Sequence, residues 1–325
     1  MPWPPALYSG AGVNRTRIIP ADAAGIARAA GLIARGLPVA VPTETVYGLA
    51  GDAGSGEAVA AIYAAKGRPS FNPLIVHVAG LAMAESIALL SPLAHRLADA
   101  YWPGPLTMVL PRVAGAPVAS LVTAGLSTVA VREPAHPVIR ALVEAVGRPL
   151  AAPSANASGS ISPTRADHAA RSLAGRIELV LDGGATEVGI ESTIVAVEDD
   201  RLRLLRPGSI TVEMLVQAGG VPVETGSSGS IEAPGQMLSH YAPAKPVRLN
   251  AVEADDSEFH IGFGPVPGRT SLSEEGDLSR AAARLFDLLH EADLSGFRAI
   301  AVAPIPDHGL GLAINDRLGR AAAPR

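Results

Sequence analysis

Cysteine is absent from the 325 residues, which excludes disulfides, thiolate nucleophiles and Cys-ligated zinc. Lysine is nearly absent: of 26 cationic residues only Lys66 and Lys245 are Lys, and the rest are Arg. Where Arg otherwise carries the positive charge, a Lys suits a spot that needs a compact ammonium, such as a phosphate oxygen in a tight pocket. Compositional drift accounts for two lysines equally well. No apolar run approaches the roughly 18 residues of a membrane span. The opening MPWPPALYSGAG has neither the basic nor the apolar region of a signal peptide, so a cytoplasmic protein is expected. Neither G-x-x-x-x-G-K-[ST] nor H-E-x-x-H occurs, and Gly262-Phe263-Gly264 lacks the third glycine of a dinucleotide loop.

What is present describes a folded chain. Hydrophobic residues make up 48% and charged residues 18%, the balance of a globular protein with room for two domains. The net charge of −5 is uneven: residues 1–212 hold 17 Lys and Arg against 16 Asp and Glu, and residues 213–325 hold 9 against 15. The second part lacks the basic face that a nucleic-acid backbone requires.

Residues 1–14 read as an irregular arm. Periodicity then predicts helices over 22–35, 57–65, 92–102, 137–146 and 164–173. Strands are predicted over 38–42, 74–78, 106–110, 127–131, 149–152, 177–181 and 192–197, with 201–206 returning as a hairpin partner. A first domain thus spans 15–224. Residues 225–246, rich in Gly, Ser and Pro, form a linker. A smaller α/β domain follows over 247–325, with strands at 246–250, 259–263 and 298–303 and helices at 277–291 and 310–322. The polar motifs repeatedly fall at strand ends, where open α/β sheets place their ligands.

PTETVYGL (42–49) sets Thr43, Thr45, Tyr47 and Glu44 after an apolar strand; read alone, it is either a ligand-binding run or a capped turn from strand to helix. KGRPSFN (66–72) puts Lys66 and Arg68 around Gly67 at a helix end, which alone fits a C-cap favoured by the helix dipole. His77 sits among Ile75, Val76 and Val78, as a core histidine also would. In STVAVREP (127–134), alternation places Thr128, Ala130 and Arg132 on one face, a donor pair for a carboxylate or phosphate. Ser154, Asn156, Ser158, Ser160 and Ser162 line a small-residue loop able to wrap phosphates, and ESTIV (191–195) and LRPGS (205–209) complete the set.

In this order and spacing, the motifs resemble the L-threonylcarbamoyladenylate synthase family over about residues 15–325, and APGQMLSHYAP with AINDRLGRAA resembles its long, two-domain form. The resemblance implies a YrdC-like α/β domain, a twisted open mixed sheet with helices, plus a smaller Rossmann-like domain. It implies a nucleotidyltransferase that makes threonylcarbamoyl-AMP and pyrophosphate from L-threonine, bicarbonate and ATP, for tRNA threonylcarbamoyladenosine modification. Thr45, His77, Arg132, Ala152 and Ser192 would surround L-threonine, although many relatives carry a hydroxyl residue at the position of Ala152. Arg68, Asn72, Thr128, Ser154, Ser162, Arg206 and Tyr241 would hold ATP, and Lys66 and Arg68 would act on the phosphates. Mg²⁺ is expected to arrive on those phosphates, and residues 225–246 to act as a lid. A monomer or weak dimer is expected, with a downstream threonylcarbamoyl transferase and tRNA as indirect partners and no membrane. Two other readings stay open: a carbamoyl-transfer enzyme of the same fold, and a non-catalytic RNA-binding module.

Overall fold

A computed structural model describes residues 16–226, 232–235 and 240–324. The N-terminal arm and linker residues 227–231 and 236–239 lie outside them, so the lid reading is assessed on the remaining linker residues.

The first part builds an eleven-stranded sheet. Its strands are β1 (Arg17–Pro20), β2 (Val39–Val41), β3 (Gly48–Asp52), β4 (Ile75–His77), β5 (Leu106–Pro111) and β6 (Thr128–Arg132). They continue as β7 (Leu150–Ala151), β8 (Leu179–Asp182), β9 (Thr193–Val197), β10 (Leu202–Arg206) and β11 (Val223–Thr225). The order across the sheet is β1-β8-β2-β3-β7-β4-β6-β5-β9-β10-β11. Parallel pairs such as β4–β6 alternate with antiparallel ones such as β5–β6, so the sheet is mixed, as expected.

Helices α1 (Ala23–Ala34), α2 (Gly56–Lys66), α3 (Leu81–Glu85), α4 (Pro92–Tyr101), α5 (Ser120–Thr123), α6 (Pro137–Val146), α7 (Ala166–Ser172) and α8 (Val212–Gly219) connect the strands. Their ends follow local chemistry. Asp22 accepts from the Gly25 N–H to start α1, and Ser55 accepts from the Ala58 N–H to start α2. Gly67, at φ 62°, ends α2 in a left-handed conformation that a side chain would strain.

Strand alternation divides the core between the two faces of the sheet. Val39, Val41, Ala50 and Leu150 pack with Leu32 and Ile33 of α1 and Ile139 and Leu142 of α6. Their chain neighbours Ala40, Leu49 and Ala151 pack instead with the cluster that holds Val59 and Ile62 of α2 and Leu97 of α4. Farther along, Val76, Val131 and Val195 join that second cluster, while Ile75, Ala130, Ile194 and Leu205 gather on the opposite face against Ala233 of the linker. There the linker, rather than a helix, supplies the apolar cover. His77 and Arg132 share the faces of Ile75 and Ala130, two residues away, and so lie under the linker.

The second part carries β12 (Val247–Arg248), β13 (Glu258–Gly262), β14 (Thr270–Ser271), α9 (Leu278–Leu294), β15 (Ala299–Val302) and α10 (Leu310–Ala322). Its four strands are all parallel, in the order β12-β15-β13-β14. Its core does not close on itself: Val46, Ile161, Ile190 and Tyr241 are packed into the same cluster as Phe286, Leu289 and Ile314. Gly189 marks the tightest approach, since a Cβ there would lie 2.4 Å from Cα of Ala283 in α9. The two parts meet through buried apolar contact.

The pattern does not predict elements β1, β3, α3, α5, α8, β11 and β14, and β3 decides how PTETVYGL is read. PTETVYGL does not lead into a helix. It turns back on itself as the connection of an antiparallel pair, with Val41 opposite Gly48 and Val39 opposite Ala50. The cause is Thr43, whose Oγ accepts from the N–H groups of Thr45 and Val46 and donates to the Val46 carbonyl, closing the turn locally.

Candidate active site

The β2–β3 turn, the C-terminal ends of β4, β6 and β10, the entry to β9 and the segment after β7 converge on one cavity. Its walls include Thr45, His77, Arg132, Ala152 and Ser192, together with Arg68, Ser154, Arg206 and Tyr241. Nine of the residues singled out in the sequence are thereby brought together, from eight different segments. Pro234, Gly235 and His240 of the linker close the space, and its volume is only about 40 Å³.

Arg132 anchors one corner. It lies beside His77 in register, β6 against β4. It donates from Nη1 to Thr45 Oγ1 at 3.0 Å and from Nε to the Gly104 carbonyl at 3.1 Å. Its Nη2 lies 2.6 Å from Glu44 Oε1, both side chains being buried. Burial is the largest influence on Glu44 and would raise its pKa, but the Arg132 charge, the hydrogen bond from Arg132 and backbone hydrogen bonds at Glu44 and Ala135 together hold the carboxyl below its ordinary value. Burial and the same Arg132 charge push His77 down to about 3, so its ring is neutral at physiological pH. His77 Nδ1 has no hydrogen-bond partner among the described residues. A buried ring nitrogen left in this way is a group available to a ligand. Ala152 commits its N–H to the Ile75 carbonyl at 3.0 Å, which leaves its carbonyl for any backbone contact with an amino acid.

Two more arginines line the other corner. Arg68 donates to the carbonyls of Asn72 and Pro73, at 3.2 and 2.9 Å. Arg206 donates to Ser192 through its carbonyl at 3.0 Å and its hydroxyl at 3.1 Å. Burial lowers the pKa of both, Arg68 to about 10, and among the described residues neither guanidinium has a carboxylate as a hydrogen-bond partner. Two buried cations held by neutral oxygens form a site that an anion would complete. Gly208 allows this geometry: a Cβ there would lie 2.4 Å from the Thr193 N, so the loop after Arg206 packs directly on β9.

Lys66, Asn72 and Ser162 stand behind the wall, and Thr128 stands apart. Lys66 is buried with its Nζ between the carbonyls of Ser154 and Asn156, each at 2.5 Å. Burial, reinforced by Arg68, drives its pKa well below the ordinary lysine value. The ammonium thus pins the 154–156 loop from beneath. Ser162 donates to Glu191 Oε1, and the Asn72 carbonyl receives Tyr63 Oη and Arg68. Thr128 begins β6 on the same face as Arg132 but four residues away, roughly 13 Å at strand rise.

The motif reading assigns no ligand role to Glu44, Glu191 or His240, yet all three line the cavity. The first two stand inside quoted motifs as acids among hydroxyls. Their partners, Arg132 and Arg317, are 88 and 126 residues away in the chain and give no local signal. Among the described residues, no group of three or more His, Asp and Glu is arranged to hold a metal ion.

Fold and pocket first define a class: α/β enzymes that hold small anions at the strand ends of an open sheet, here with a second α/β unit packed alongside. A family model described as "Telomere recombination" (Sua5, YciO, YrdC) matches residues 31–208, and one described as "Threonylcarbamoyl-AMP synthase, C-terminal domain" matches 210–323. The threonylcarbamoyl-AMP synthase of Bacillus subtilis is 41% identical over 92% of this chain and 93% of its own length. That of Pyrococcus abyssi is 40% identical over 91% and 94%. The crystal structure of P. abyssi Sua5 complexed with L-threonine superposes with a TM-score of 0.86 at 37% identity, over 94% of this chain and 98% of that one. The chain belongs to the Sua5/YciO/YrdC family, and it carries that family's C-terminal domain as well.

Proposed function

We propose that this chain condenses L-threonine, bicarbonate and ATP into threonylcarbamoyl-AMP and pyrophosphate. The carrying observation is the single cavity with two cationic corners. Arg132 has Thr45 and a neutral His77 beside it, and among the described residues Arg68 and Arg206 have only neutral oxygens as hydrogen-bond partners. One corner suits an amino-acid carboxylate and the other a polyphosphate.

The threonine carboxylate pairs with Arg132, whose position Glu44 and Thr45 fix, and Ser192 and the Ala152 carbonyl close that corner. The amine, once deprotonated, attacks CO₂ derived from bicarbonate. It loses its proton to become a carbamate, and a carbamate oxygen attacks the α-phosphorus of ATP. The bond to the β-phosphate oxygen breaks and pyrophosphate leaves with the electron pair. No covalent enzyme intermediate is needed, so catalysis rests on bringing two anions together and neutralising charge at phosphorus. Arg68 and Arg206 carry that charge. Ser154, Ser162 and Asn72 shape the nucleotide side, with Thr128 at its far edge. Lys66 holds the 154–156 loop against the phosphates and adds its field from behind. Mg²⁺ enters as part of the MgATP substrate.

The linker works as a lid. A cavity of about 40 Å³ cannot admit ATP, since pockets for ligands of that size occupy roughly 300–1,000 Å³. Pro234, Gly235, His240 and Tyr241 therefore withdraw to let the nucleotide in and return to exclude water from the carbamate. The product supplies a downstream transferase that modifies tRNA; among the described residues no helix is long and apolar enough to cross a membrane. The reaction is tested by pyrophosphate release from ATP, which should require both bicarbonate and threonine. Release without threonine would contradict it.

A further inference from the structure

Among the described residues, the largest fully buried side chain is not in the first sheet's core. It is Arg317, on α10 of the second unit, and it is 0% exposed. A buried guanidinium is costly unless its donors are met. Here they are met mainly by the first unit, with Asp316 of α10 as the one partner from its own helix. Nε donates to Glu191 Oε2 at 3.0 Å and Nη2 to the Glu191 carbonyl at 3.3 Å. Nη1 donates to the Pro207 carbonyl at 2.6 Å and to Asp316 Oδ2 at 3.1 Å. The guanidinium carbon also lies 5.6 Å from the centroid of the Tyr241 ring.

The contacts outside α10 all line the cavity or adjoin a residue that does. Glu191 precedes Ser192, and its other carboxylate oxygen receives the Ser162 hydroxyl at 2.5 Å. Pro207 follows Arg206, whose own donors go to Ser192. Tyr241 is part of the linker over the cavity. One planar fork thus holds the exit from β10 and the linker, both on the nucleotide side, and reaches that side again through Glu191, which accepts from Ser162. By contrast, Arg132, the anchor of the opposite corner, is held by Thr45, Gly104 and Glu44, all residues of the first unit.

We propose that Arg317 is a positioning residue through which the second unit sets the nucleotide side of the site. This inference rests on the reading of that side as the ATP site. It gives the second unit a role in ATP affinity distinct from amino-acid recognition. Lysine cannot replace the fork, because a single ammonium cannot reach Glu191 and Pro207 in the same plane.

The test compares wild type with Arg317→Ala, Arg317→Lys and Glu191→Gln. ATP affinity is measured by equilibrium binding and by KM, threonine affinity by the same two methods, and thermal midpoints alongside. The expected split is an ATP affinity weaker by about tenfold or more in both Arg317 variants, with threonine affinity changed by less than about threefold. Glu191→Gln should weaken ATP in the same direction by a smaller factor. Methylguanidine added to Arg317→Ala should restore part of the ATP affinity, which a lost packing contact would not do. Equal loss of both affinities without rescue would overturn the inference, as would unchanged ATP affinity. An Arg317→Lys protein that does not fold would assign the residue to stability alone and overturn it too. The wild-type arm judges the reaction separately: absent threonine-dependent pyrophosphate release would sink the proposed function, while ATP binding would still decide on Arg317.

Discussion

Arg132 and Glu44 form the tightest ion pair that lines the cavity, so the balance between them decides the threonine corner. Arg132→Ala removes the partner of the carboxylate and leaves Glu44 buried without its cation. Threonine KM should rise by about tenfold to a thousandfold, the scale of a broken buried charge pair, and a normal threonine KM would contradict the assignment. Lys66→Ala frees the loop over Ser154 and Asn156. Turnover should fall by about 10²-fold, the scale of a small misplacement of positioning groups, with unchanged turnover as the contrary result. The histidines give a pH test. The folded pKa values of His77 and His290 are depressed to about 3 from 6.5, in both cases chiefly by burial. As pH falls, the unfolded chain takes up protons first, so the contribution of these groups to stability is lost from about pH 6.5 downward. At pH 5, unfolding should take up roughly one proton at each of the two. Urea unfolding between pH 7 and 5 would show the decline, and a flat profile would refute it. The cationic and hydroxyl members of the site were legible because they cluster in short motifs. Glu191 was not, since its meaning depends on Arg317, 126 residues away.

Among the elements, the β2–β3 pair was the hardest to read. Gly48-Leu49-Ala50-Gly51-Asp52 has little strand character of its own, and Gly weakens a strand unless packing requires it. Packing does require it here: a Cβ on Gly51 would lie 3.0 Å from Ile62, and one on Gly48 would lie 3.3 Å from Ala152. The core, not local propensity, makes β3. Strands with β-branched runs, such as Thr128–Arg132 and Thr193–Val197, were placed within a residue or two by pattern alone. Helix α6 matched its predicted bounds because Pro137 and Gly147 punctuate it. Gly189 ties an element to its neighbour. At φ 76°, with α9 backbone 2.4 Å from any Cβ, Gly189→Ala must push α9 away. Stability should drop by about 1–3 kcal/mol, measured by urea unfolding; a loss within about 0.5 kcal/mol would show that α9 accommodates the change.

At the scale of the whole molecule, the composition already separated a near-neutral first part from an acidic second one. The alternation of strand and helix likewise announced two α/β units. What the sequence did not reveal is that the second unit's core incorporates Val46, Ile161, Ile190 and Tyr241 of the first part and linker, because such contacts have no short-range signature. A fragment lacking residues 230–325 would expose Val46, Ile161 and Ile190 and lose the linker's cover. It should turn over at least about tenfold more slowly and release more AMP per pyrophosphate, as a site open to water allows. An equally active fragment that leaks no AMP would remove the lid from the mechanism. The account as a whole depends on threonine being the partner of ATP. The direct measurement is pyrophosphate release from MgATP and bicarbonate by the intact chain, with L-threonine, with serine, with valine and with no amino acid. Release that needs threonine and is far slower with serine or valine is the expected result; release indifferent to the amino acid would contradict it.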